Sequence, residues 1–278
     1  MASFELPETP NLALELEGPV LHLTLNRPKV RNAMSFAMVE EIIAVFDAIS
    51  ETTEIRTVVI RGAGGHFCAG GDIKDMAAAR MAAVPDPPGG PDDPMFAGNR
   101  KFGTMMSIID TAPQAVVAVI EGAVMGGGFG LACVADVSLA KADAKFRLPE
   151  TSLGIPPAQI IAFIVRRIGL TQARRFAVTG GRLDGRQAQA VGIVHEVYED
   201  DEALETGLAQ TLAQIRRCAP GAVAVTKDLA ISSLSENIEV LLDRAARDFA
   251  LAIRSAEGQE GTMAFIQKRD PAWARDDA

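Results

Sequence analysis

Two glycine-rich turns and one glutamate are the residues of this 278-residue chain whose types and spacing could do chemistry. The first turn, Gly62-Ala63-Gly64-Gly65-His66-Phe67-Cys68-Ala69-Gly70-Gly71-Asp72-Ile73, follows the apolar run Thr57-Val58-Val59-Ile60. The second, Gly122-Ala123-Val124-Met125-Gly126-Gly127-Gly128, follows Ala115-Val116-Val117-Ala118-Val119-Ile120. Glycine has no Cβ, so such turns bring backbone amides close to a ligand, and a following helix adds the partial positive charge of its N-terminus. Two N–H donors aimed at one carbonyl oxygen stabilise it as it becomes an enolate, and losing one typically costs about 3 kcal/mol of barrier. A carboxylate at the adjacent carbon would move the proton. Glu150, behind Pro149 and ahead of an apolar turn, fits that role. Taken alone a glutamate is a solvated surface group; the two turns make this one a candidate.

Other chemistries find less support. The glycines match neither G-x-G-x-x-G opening a helix after the first strand nor G-x-x-x-x-G-K-[ST], and G-x-S-x-G does not occur. His66 reads as a turn residue, because no neighbouring acid fixes its tautomer. The three histidines and the cysteines Cys68, Cys133 and Cys218 show no four-ligand spacing, so no metal is expected, and the thiols read as reduced and packed. A formal charge of −9 disfavours a nucleic-acid surface. No apolar run is long enough to span a bilayer, and the start lacks a secretory signal, so a cytoplasmic protein without membrane partners is expected.

The elements that must position these residues follow from periodicity. Alternating leucines over 12–25 predict a hairpin, and a polar, basic turn over 26–34 follows. Ser35 is a credible N-cap for a helix over 36–49, and Asp72 for the helix after the first glycine turn. The stretch 82–98, dense in Pro, Gly and Asp, predicts a mobile loop, with a helix from about 99 to 110 beyond it. After the second turn come a strand over 136–140 and a helix begun by Pro157 that carries Ile160, Ile161, Ile164 and Val165. Helices over 171–179 and 184–191, a strand over 193–198, and four helices over 201–215, 222–232, 236–254 and 257–268 complete the chain. The reading is α/β, with a core over 1–200 and a helical, oligomer-forming region over 201–278.

Taken together, the motifs resemble the crotonase, or enoyl-CoA hydratase/isomerase, superfamily. The matching stretches are Asn26-Arg27-Pro28 with Asn32-Ala33, Phe67-Cys68-Ala69-Gly70-Gly71-Asp72-Ile73, Gly122 to Gly128, Pro149-Glu150 with Leu153-Gly154, and Phe265-Ile266-Gln267-Lys268-Arg269. The resemblance implies a crotonase-like spiral of ββα repeats, a homotrimer or homohexamer, and an acyl-CoA thioester as substrate with no further cofactor. It implies an oxyanion hole from the amides of Ala69 and Gly127. For coenzyme A it implies contacts from Arg27, Lys29, Arg31, Ala69, Gly70, Asp72 and Ile73, and from Phe265 and Lys268 of a neighbouring subunit. Hydratases of this family carry two glutamates; Glu150 matches the second, and Gly130 stands where the first would be. The stretch after Glu150 is similar to hydratases of branched, glutaconyl-type esters from terpenoid degradation and in part to hydratase-lyases, which would call for a phenol such as Tyr198. Arg147 or Arg100 would pair with a second substrate carboxylate. A hydratase is expected, with Δ3-Δ2 isomerisation, or a scaffold that binds CoA esters without turnover, as alternatives.

Overall fold

The computed structural model describes residues 4–82 and 88–274. Strands β1 (Leu12–Glu17) and β2 (Val20–Leu25) form the antiparallel hairpin, Leu12 opposite Leu25. Alternation in β2 sends Leu21, Leu23 and Leu25 fully inside. Helix α1 (Phe36–Ile49) is capped by Ser35, whose side chain accepts from the Met38 amide. Then come β3 (Thr57–Gly62), α2 (Ile73–Met81), α3 (Pro94–Asp110), β4 (Ala115–Ile120), β5 (Ala123–Met125), α4 (Gly127–Val134), β6 (Val137–Lys141) and β7 (Lys145–Arg147). Helix α5 (Ile161–Thr179), β8 (Arg182–Leu183), α6 (Gly185–Ala190) and β9 (Glu196–Tyr198) lead to the helices α7 (Asp201–Arg216), α8 (Pro220–Ser232), α9 (Ile238–Ala252) and α10 (Ala256–Ile266).

Six strands make the main sheet in the order β1-β2-β3-β4-β6-β9, parallel throughout except for the opening hairpin. All six residues of β4 are buried, because the sheet is covered on both faces. On one face the large core gathers α1, α3, α4 and α5; on the other, Leu204 and Leu208 of α7 pack on Val59, Val117, Val119 and Leu139. An unbroken apolar run is what a strand buried on both sides requires.

A second sheet, β5-β7-β8, is extended by two single bridges, Cys68 to Val124 and Met34 to Gly71. Each repeat thus supplies a long strand to one layer and a short one to the other, which is the expected spiral of ββα turns. The two glycine turns lie along this short layer.

Four expectations change. Helix α3 begins at Pro94, not near 99: Asp93 caps it by accepting from the Met95 amide, and Pro94 sits at the first helical position, where a missing N–H costs nothing. The rest of the expected 82–98 loop falls partly on 83–87, which lie outside the described residues. The helices expected from 157 and over 171–179 are joined as α5, broken at Gly169 where φ is 73°. The strand expected over 193–198 keeps only its last three residues as β9. Cys68 and Cys133 are buried, which pushes both thiols up to about 12, whereas Cys218, expected to pack with them, is exposed. No helix among the described residues is long and apolar enough to cross a membrane.

Candidate active site

The short layer brings the two glycine turns and Glu150 together through backbone bonds. The Cys68 amide donates to Ala123 O and the Met125 amide to Cys68 O, both at 2.9 Å, so the first turn lies along the second. The Gly126 amide donates to Arg147 O at 3.0 Å, so the second turn lies along the strand that leads into Glu150. Phe129 of α4 meets Phe146 of β7 edge-on, centroids 6.0 Å apart, which seats the α4 N-terminus beside that strand.

Glu150 opens a short 3-10 turn, Glu150–Leu153. Its Oε1 lies where a side chain on Gly126 would go, 2.8 Å from the position of a Cβ there. Gly126 has φ 50° and ψ −116°, a conformation for glycine, and the missing side chain leaves the carboxylate against the start of α4. Its Oε2 is buried and has no hydrogen-bond partner among the described residues. Burial raises the Glu150 carboxyl above its ordinary value, because the charged form loses hydration that the residue's own backbone N–H only partly offsets. A carboxyl shifted in that direction is suited to exchange a proton with a substrate carbon.

The amides require a correction. Ala69, expected in the oxyanion hole, turns its N–H away and donates to Arg31 O at 2.9 Å. The Gly70 amide faces Cys68 Sγ at 3.4 Å. Gly71 is the next residue: its neighbours Gly70 O and the Asp72 amide pair with Met34, while its own N–H makes no hydrogen bond among the described residues. The Gly127 amide, first in α4, is likewise uncommitted. The two turns touch, a Cβ at Gly70 standing 3.1 Å from Met125 O. Which of three successive amides faces outward depends on the Arg31 and Met34 contacts, and those are long-range.

Gly130 is more than a missing acid. A Cβ there would stand 2.9 Å from Ile160 Cβ and 3.2 Å from Met106 Cε, so the space of a first glutamate is filled by apolar side chains. Ile160 was expected only as a helix-face residue, and nothing in its local sequence points to this contact. Gln159, beside it, is a second residue sequence reasoning passed over.

The predicted coenzyme A residues divide. Arg27 pairs with Asp72 at 2.8 Å and also donates to Ala33 O, and Asp72 caps α2 through the Lys74 amide, so both side chains are spent within the fold. Burial acts to raise the Asp72 carboxyl, but the Lys74 amide and Arg27 outweigh it and hold the group below its ordinary value. Asn32 is fully buried, donating to Ala63 O at 2.9 Å and His66 O at 2.6 Å and accepting from the Arg27 amide at 2.9 Å. Lys29, Arg31 and Ile73 are exposed on the same rim. Phe265 and Lys268, at the end of α10, are exposed and joined to neither turn by a hydrogen bond or ion pair among the described residues. Tyr198 donates to Glu196 and its ring packs on Gly207 between the main sheet and α7, which removes it from the site.

A cavity of roughly 100 Å³ adjoins Gly71, walled by Met34, Phe36, Met76, Met95, Asn99 and Phe102. Its apolar lining suits a hydrocarbon chain. A larger one, about 400 Å³, lies between Val20, Arg56, Leu212 and Trp273 and shares no residue with the turns.

A family model described as enoyl-CoA hydratase/isomerase matches residues 15–276. Among curated relatives, 2,3-dehydroadipyl-CoA hydratase of Escherichia coli (strain K12) is 30% identical over 94% of this chain and 97% of its own. Carnitinyl-CoA dehydratase of Proteus mirabilis (strain HI4320) is 33% identical over 95% and 98%. Among solved structures, an enoyl-CoA hydratase/isomerase from Marinobacter aquaeolei superposes with TM-score 0.92 at 54% identity, covering 95% of this chain and 99% of its own. Pseudomonas aeruginosa AtuE does so with TM-score 0.91 at 56% identity, covering 95% and 100%.

Proposed function

The chain belongs to the enoyl-CoA hydratase/isomerase family, and from that premise we propose that it adds water across the 2,3 double bond of a branched or glutaconyl-type enoyl-CoA ester with a single carboxylate. The observation that carries this reading is Glu150 Oε1 against Gly126, beside the uncommitted Gly127 amide, while the cell at Gly130 is filled.

In this reading the thioester oxygen accepts from the Gly71 and Gly127 amides, which stabilise the enolate as it forms. Water oxygen bonds to C3, Glu150 takes a water proton, and the same carboxyl returns a proton to C2, so the elements of water are added and Glu150 ends as it began. The acyl chain enters the cavity beside Gly71. Lys29 and Arg31 face the coenzyme A nucleotide, while Phe265 and Lys268 reach it from a neighbour in a cytoplasmic homotrimer or homohexamer. Arg147, whose buried Nε has no partner among the described residues, is the cation for a second substrate carboxylate. The names of the two curated relatives, a hydratase and a dehydratase of different CoA esters, describe one type of reaction in opposite directions and favour hydration. The single carboxylate favours the runner-up, Δ3-Δ2 isomerisation, which needs no water.

The test follows conjugated thioester absorbance with a 2-enoyl-CoA and, separately, a 3-enoyl-CoA, beside Glu150→Gln. Glu150-dependent loss from the 2-enoyl ester is the expected result. Gain from the 3-enoyl ester alone replaces hydration by isomerisation, and silence with both, despite tight ester binding, replaces it by a scaffold.

A further inference from the structure

Glycine inside a helix costs about 1 kcal/mol relative to alanine, yet α3 carries two, and each makes room for a side chain from elsewhere. A Cβ at Gly98 would stand 2.7 Å from the Phe36 ring. One at Gly103 would collide with the Gln159 carboxamide, whose Cδ would lie 2.8 Å away. There Gln159 Nε2 donates to Asn99 Oδ1 at 3.0 Å. Neither carboxamide makes another hydrogen bond among the described residues, so the pair still offers a donor on Asn99 and an acceptor on Gln159. Turning both carboxamides over leaves a donor and an acceptor all the same. That complement suits a water molecule.

The pair also stands in the right place. Asn99, Phe102, Gly103 and Met106 share one face of α3. Along it Phe102 would touch a Cβ on Gly127 at 2.9 Å, Gly103 accommodates Gln159, and Met106 faces Gly130. Successive helical turns are about 5.4 Å apart, so the carboxamide lies roughly one turn, a glutamate side chain's length, from the filled cell. Asn99 lines the cavity that adjoins Gly71.

We propose that Gln159, held by Asn99 in the space left at Gly103, positions the water that adds to C3, where a second carboxylate from position 130 would otherwise stand. This rests on the hydratase reading above. Gln159 exchanges no proton: water oxygen bonds to C3, the C2–C3 π pair moves into the thioester enolate, and Glu150 relays the proton to C2.

Gln159→Leu, Gln159→Glu and Asn99→Leu are to be compared with the unsubstituted protein in two assays. One is hydration of a 2-enoyl-CoA. The other is deuterium exchange at the α-carbon of the matching saturated acyl-CoA, followed by NMR, which needs Glu150 and the oxyanion amides but no positioned water. Gln159→Leu is expected to lower kcat for hydration about 100-fold, the scale of a misplaced reactant, with KM and the exchange rate held. Asn99→Leu should follow in part, and Gln159→Glu should keep hydration. Hydration and exchange falling together in Gln159→Leu, or hydration surviving it, overturns the assignment. An unsubstituted protein that exchanges but hydrates no 2-enoyl ester overturns the hydratase reading, and this assignment with it.

Discussion

At Glu150, burial removes water from the carboxylate and leaves the neutral acid almost untouched, so the acid form persists to higher pH than in an ordinary glutamate. The base form is the one that accepts the water proton. The acid limb of kcat/KM is therefore expected above 4.5, the ordinary value, and to vanish with the activity in Glu150→Gln, by about 10²- to 10⁴-fold. The same shift has a sign in stability. With a folded-state pKa above the unfolded one, Glu150 contributes stability below about pH 4.5 that is lost as pH rises through the raised folded value. Glu150→Gln should then melt higher than the unsubstituted protein at neutral pH and show no difference near pH 4; an unchanged melting temperature at both would mean the carboxylate is solvated. Gly130 allows a complementary measurement. Restoring a glutamate there forces a side chain against Ile160 and Met106, and overpacking a filled core costs about 1–3 kcal/mol before the buried charge is counted. Gly130→Glu should lower the melting temperature by several degrees without raising activity, and adding Ile160→Ala should recover part of the loss. Full stability in Gly130→Glu alone would show that Ile160 is free to move aside.

At the scale of elements, Asn32 shows how the site is held. It ties the loop over 26–33 to the first glycine turn through Ala63 O and His66 O while taking the Arg27 amide, and that loop in turn supplies Arg31 O, on which the Ala69 amide is spent. Asn32→Ala leaves buried groups unpaired and is expected to cost about 3 kcal/mol in denaturant unfolding; because the turn it holds orients the Gly71 amide, kcat should fall as well. A loss under 1 kcal/mol would mean that water replaces the side chain. The contrast with Ala69 explains what can be read from a sequence. The hairpin, α1, β3 and β4 are legible because apolar spacing and an N-cap serine are local signals, and the choice of Glu150 and Gly127 rests on the same kind of signal together with family resemblance. Amide direction is not local: Ala69, Gly70 and Gly71 look equivalent until Arg31 and Met34 are known to lie alongside. Ile160 in the space at Gly130, and Gln159 in the space at Gly103, are contacts between elements about 30 and 56 residues apart in sequence, and periodicity marks Ile160 only as a core position. The early start of α3 had a usable signal in Asp93-Pro94, masked by the Pro and Gly before it.

For the whole molecule, the helices beyond 201 leave large apolar side chains exposed. On α9 and its C-cap, Ile238, Leu242, Phe249 and Ile253 fall on one stripe by helical spacing, and Phe249 is 70% exposed. Phe265 and Ile266 at the end of α10 are more exposed still. Exposed apolar side chains gathered on a helix face are a signature of an interaction site, and symmetric self-association is the commonest way such a face is covered. If copies of this chain cover it, Phe249→Glu should convert a trimer or hexamer into a 29.4 kDa monomer by light scattering, with far-UV circular dichroism retained because the side chain is largely exposed in its own chain. The consequence for function is specific. Phe265 and Lys268 are not tied to the two turns of their own chain, so if they serve a neighbour's coenzyme A, the monomer should bind the ester more weakly while Glu150-dependent chemistry on bound ester survives, raising KM well before kcat falls. A Phe249→Glu protein that stays oligomeric would place the contact on another face, and one that becomes monomeric with KM unchanged would free Phe265 and Lys268 from any part in the site.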